Sequence, residues 1–106
     1  LQAYLKEQGF VKKQKESDLV FAYRIYKKLC DSYRYHWDRQ LDRRVSLTCR
    51  RRSTDCAGIS YLFCSILRAQ GIPARALIGR YARSSPELED FSNTFACHVR
   101  AEFYAE

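Results

Sequence analysis

The chain contains no methionine, only two prolines and four glycines, and no pair of cysteines spaced C-x-x-C. So little proline and glycine excludes a collagen-like or linker-like polymer, and an aromatic content of 14% excludes a disordered tail. Without a C-x-x-C pair there is no framework for a structural zinc site, and neither a metal nor another cofactor is expected. No uncharged run is long enough to cross a bilayer; the one that follows Asp55 is broken at Arg68. The amino-terminus lacks the charged start, apolar stretch and small-residue cleavage site of a signal peptide. A chain that begins at Leu1 rather than Met is expected to be a piece of a longer protein.

What is present bounds the answer further. At 106 residues, 46% of them apolar, residues 1–106 are read as one domain with one core. Nineteen Lys and Arg against twelve Asp and Glu leave a net charge of +7. Lys12-Lys13, Lys27-Lys28, Arg43-Arg44 and Arg50 to Arg52 interleave with many tyrosines, a mixture that suits a nucleic-acid backbone or an acidic partner. No nucleic-acid motif accompanies them, however, and scattered charge is the ordinary solvated surface, so nucleic acid is not the expected partner. The five cysteines, at 30, 49, 56, 64 and 97, cannot all pair within one chain. Reduced thiols, and with them a cytoplasmic location, are favoured.

Along the chain, Leu1 to Gln8 reads as a short helix closed by Gly9. Ser17-Asp18 starts a second helix, on which Leu19, Tyr23, Tyr26, Cys30 and Tyr33 form one apolar face. Tyr35 to Arg52 is irregular, with Trp37 and Leu41 as anchors. The clearest element is a central helix capped by Asp55, with Ile59, Leu62, Phe63, Ile66 and Leu67 as its buried stripe and Gly71 as its stop. Ala74 to Tyr81 reads as a strand, ended by the Ser84-Ser85-Pro86 turn, with an acidic loop from Glu87 to Asp90 leading to Phe95. The last segment alternates: Cys97, Val99, Ala101 and Phe103 face one way, His98, Arg100, Glu102 and Tyr104 the other. Helices first, then a central helix, then strands make an α+β fold with an antiparallel sheet.

Cys56 opens the central helix directly after its Asp55 cap. The helix dipole and the unsatisfied N–H groups there favour thiolate, and Ala57 and Gly58 leave the sulfur approachable. His98 lies on the polar face of a strand able to cross the helix start. A thiol and an imidazole so placed suit a nucleophile–base pair. The plainer reading is a small buried Cys and a His satisfied by a neighbour. Cys64 and Cys97 read as core, Cys30 as part of the apolar face of its helix, and Cys49 has no assigned role.

The run from Thr54 to Arg75, with Cys56 opening a helix that ends in the R-A-x-G-I-P-A-R segment Arg68 to Arg75, resembles the signature of the transglutaminase-like superfamily. His98-Val99-Arg100-Ala101-Glu102-Phe103-Tyr104 resembles that family's H-x-W-x-E-x-Y strand, which starts on the catalytic His. The resemblance covers residues 46 to 104 and implies a transglutaminase/papain-like core, with the central helix and the helices before it packed on an antiparallel sheet. It implies Cys56 and His98 as the catalytic residues. The family's third residue, an Asp on the strand after the His strand, has no match before Glu106, so the core is expected to be incomplete at its carboxyl end and weakly active or inactive alone. Thr54 stands where the family usually has Gly, and Arg100 where it has an aromatic residue.

The resemblance implies acyl transfer on a protein or peptide substrate: attack on an amide, a thioester intermediate, then hydrolysis or amine transfer, with protease or amidase action expected over cross-linking. Amidases of peptidoglycan and arylamine acetyltransferases share the wider resemblance. The Cys56 N–H would serve an oxyanion hole, and the Trp37 indole is a second candidate donor that reads equally as a core anchor. Glu102 is expected to pair with Arg100, Arg75 or Arg80. The competing function is a catalytically idle interaction module with a basic surface. Pairing of an open strand edge with a second copy is a further expectation, tested by sedimentation.

Overall fold

The computed structural model describes residues 2–80 and 97–106. Four helices, α1 (Gln2–Gln8), α2 (Asp18–Ser32), α3 (Val45–Arg51) and α4 (Cys56–Ala69), join two short strands, β1 (Arg34–Tyr35) and β2 (Ser53–Thr54), and two longer ones, β3 (Ala74–Arg80) and β4 (Cys97–Phe103). The fold is thus mixed helix and strand, as α+β requires. The Ser84-Ser85-Pro86 turn, the acidic loop and Phe95 lie outside the described residues.

Local chemistry explains the boundaries. Ser17 starts α2 by accepting the Val20 N–H at 3.2 Å. Both α1 and α4 end in the same device, a left-handed glycine followed by a buried apolar residue. Gly9 (φ 71°) and Gly71 (φ 79°) turn the chain, and the next residues, Phe10 and Ile72, donate back to Leu5 (2.7 Å) and Leu67 (3.0 Å). Phe10, Leu5, Ile72 and Leu67 are all buried, so each helix stop is welded into the core.

β3 and β4 pair antiparallel from Ala74↔Phe103 to Arg80↔Cys97, and the expected partner of Glu102 is its cross-strand neighbour Arg75. α4 packs against this sheet and against α2 and α3. The core is helical: Leu5, Phe21, Ile25, Leu29, Leu62, Ile66 and Leu67 come from α1, α2 and α4, with Phe63 and Phe103 carrying it to the sheet. At about 25 cal/mol per Å2, each fully buried Leu, Ile or Phe contributes roughly 1.5–3 kcal/mol of transfer free energy.

Three expectations fail. The buried face of α2 is Phe21, Ala22, Ile25 and Leu29, while Leu19, Tyr23, Tyr26 and Cys30 are exposed. The core takes the all-hydrocarbon stripe and leaves outside the one whose phenols need water or a partner. Trp37 is 48% exposed, so it is not a core residue. That segment is also not irregular throughout, because it contains α3, and β1 pairs parallel with β2 (Arg34↔Ser53, Tyr35↔Thr54). Cys49, on α3, is buried.

Candidate functional site

Cys56 is the first residue of α4. Asp55 before it has extended backbone (φ −99°, ψ −171°), and its Oδ1 accepts the Gly58 N–H at 3.0 Å, an N-cap in the expected place. Oδ2 is taken by Arg43, whose Nε donates at 2.8 Å and whose second guanidinium nitrogen stands 2.6 Å away. Asp55 is 2% exposed, so the pair neutralises a carboxylate that water does not reach. Burial pushes this carboxyl up, but the hydrogen bonds from Arg43 and Gly58 outweigh it and hold it below the usual carboxylate range. The same ion pair raises Arg43, which also feels Cys56 and Tyr61.

The approach to the cap is fixed as well. β1 holds β2 through Arg34 N–H to the Arg52 carbonyl (3.0 Å) and His36 N–H to the Thr54 carbonyl (2.9 Å). Thr54 then packs on the backbone of Gly58, where an added Cβ would stand 1.8 Å from Thr54 Oγ1. Gly58 therefore leaves room for Thr54. The bulk that this chain carries two residues before Cys56 is matched by its absence two residues after.

The helix delivers its first turn to the sheet. Ser60, one turn beyond Cys56 on the same side of α4, donates its hydroxyl to the Val99 carbonyl at 3.4 Å. Phe63 meets Phe103 edge to face at 6.0 Å. α4 and β4 therefore run in the same sense, which brings the His98 end of β4 to the Cys56 end of α4. Directly opposite His98 on β3 is Gly79, which presents no side chain at that register position.

Cys56 and His98 both line one cavity of about 580 Å3, walled by Tyr23 and Tyr26 of α2, Tyr35 of β1 and Phe63 of α4. Arg100 is the one permanently charged residue among the described residues that line it. Trp37 is not among them. The exposed face of α2, misassigned to the core from its spacing, is the wall of this cavity. Cys64 is buried, as expected, and Cys30 reaches the cavity rather than the core.

Sequence reasoning missed Arg43, which reads as one of several basic pairs but ends on Asp55. Several other basic groups are similarly engaged: Lys12 with Asp18, Arg44 with Asp42, Arg51 with the Ser53 and Asp42 carbonyls, and Arg52 with Gln8. Among the described residues no cluster of three His, Cys, Asp or Glu side chains could hold a metal ion, and no helix is long and apolar enough to cross a membrane.

A mixed fold with a thiol at a helix start and an imidazole on the neighbouring strand, both open to one cavity, is the class of arrangement used by cysteine-based acyltransferases and proteases. The model of the transglutaminase-like superfamily matches residues 6–106, and the chain belongs to that family. No curated protein and no solved structure matches it.

Proposed function

We propose that Cys56 and His98 are the nucleophile and the general acid–base of an acyl-transfer reaction on a protein or peptide amide, in a papain-like arrangement. The observation that supports this most is their shared cavity at the start of α4. The Cys56 thiolate attacks the amide carbonyl, and the new S–C bond pushes charge onto oxygen. As an N1 residue, Cys56 offers a backbone N–H that no helical carbonyl claims, so it can donate to that oxyanion. Collapse breaks the C–N bond, His98 protonates the departing amine, and a thioester remains. Water, deprotonated by the neutral imidazole, then releases the acid; an amine in its place would give cross-linking. Hydrolysis is the favoured outcome.

The test is acylation by a peptide p-nitrophenyl ester with mass-spectrometric assignment of the thioester. Acyl adduct on Cys56 is expected. It is absent in Cys56→Ala and forms about 10²–10⁴-fold more slowly in His98→Ala. Adduct on Cys30 at a rate equal to that on Cys56 would sink the proposal and leave an idle interaction module as the better reading.

A further inference from the structure

An Asp at the cap of the nucleophile's own helix raises an electrostatic problem. A carboxylate is among the best N-caps, because it both accepts an orphan N–H and complements the helix dipole. Here, however, it is bonded in sequence to the residue whose thiolate must form and must bring an electron-rich carbonyl close. Asn or Ser would cap nearly as well without that charge.

The surroundings of Asp55 answer it. One carboxylate oxygen caps Gly58, and the other is gripped by the Arg43 guanidinium. That guanidinium is itself held by the carbonyls of Leu41 (3.0 Å) and Asp38 (3.1 Å), so the 38–43 turn is wrapped around it. We propose that Arg43 is a positioning residue for Cys56: it cancels and orients the Asp55 carboxylate, so that the helix keeps its charged cap while the sulfur sits in a field that does not repel anions. The inference rests on the reading of Cys56 as nucleophile. Among the described residues, the other titratable or charged groups around the cavity are His98 and Arg100 from β4, Tyr35 from β1, and Tyr23, Tyr26 and Cys30 from α2, and none of them is altered by the variants below.

The local field is read by alkylating Cys56 with neutral iodoacetamide and with anionic iodoacetate, and taking the ratio of the two rates. The intact 106-residue chain is used, with site assignment by mass spectrometry. A change in access moves both rates alike, whereas a change in field moves the ratio. Arg43→Gln is expected to lower the iodoacetate-to-iodoacetamide ratio about three- to tenfold, as an unmasked charge at this range would in a partly screened site. Arg43→Lys keeps most of the wild-type ratio. Asp55→Asn in the Arg43→Gln background recovers it, since Asn still caps. If Arg43→Gln does not fold, Asp55→Asn alone decides: its ratio rises above wild type because the guanidinium is left unopposed. An unchanged ratio in Arg43→Gln, or in Asp55→Asn where that variant decides, overturns the inference. Slow wild-type Cys56 labelling by both reagents overturns the nucleophile reading instead, and leaves the ratio test standing.

Discussion

At its amino-terminal end α4 is surrounded by an ion pair, small residues and an open cavity; two turns later the same helix is wrapped in hydrocarbon. Asp55, Ala57 and Gly58 are buried around Cys56, yet the packing there serves placement: a cap, a guanidinium, and a threonine resting on a bare backbone. Leu62, Ile66 and Leu67 at the other end are fully buried in the apolar core shared with α1 and α2. One helix thus holds its Cys56 end with directional bonds and its opposite end with contact area. The two kinds of interaction fail differently when altered.

The largest expected effect comes from the apolar end. Ile66→Ala should cost about 2–5 kcal/mol in urea unfolding, from lost transfer energy plus a cavity. The iodoacetate-to-iodoacetamide ratio at Cys56 should stay at the wild-type value, and a shifted ratio would break the division of labour. Next is Gly58→Ala, expected to cost about 1–3 kcal/mol by overpacking. Thr54→Ala in the same chain should recover most of it, because the clashing hydroxyl is gone; a cost that survives the double substitution would point to the helix itself. The smallest effect is local and set by acid. Asp55 ionises below the ordinary carboxylate range when folded, so its stabilisation is present above the unfolded value of about 3.9 and is lost as pH falls through the lower folded one. The protection of the Gly58 amide against exchange, taken relative to its intrinsic rate, should therefore fall below about pH 4 before that of Ile66 does. An equal loss of protection at both would show that the ends are not separable.

Legibility followed the range of the interactions. α4 could be read because its cap, stripe and glycine stop lie within one segment, and β4 because its alternation is local. The partner of Glu102 was among three candidates, Arg100 on its own strand and Arg75 and Arg80 on the neighbouring one. α3 escaped because it has no side-chain cap, carries Thr48 and Cys49 as its buried residues, and ends on Arg52 (φ 60°) where a glycine would have announced the stop. The β1–β2 pair joins residues 34 and 35 to 53 and 54 through backbone alone, which leaves no pattern in the side chains. Arg43 was legible as charge but not as a partner, since nothing in twelve residues of spacing points it at Asp55. Cys56 and His98 stood out through the family motif more than through spacing.

The second helix carries a consequence of its own. Its hydrocarbon stripe and its tyrosine stripe lie about 100° apart around the axis, the angle of a single residue. A third of a turn would carry the tyrosine stripe to the core and turn the hydrocarbon stripe away from it. Such a rotation would expose Phe21, Ile25 and Leu29, which are buried in the native state, and burying Tyr23 and Tyr26 without partners would cost about 1–3 kcal/mol each besides. The phenols thus act as a veto on the wrong rotation, and the uniqueness of the native state depends partly on atoms that make no core contact.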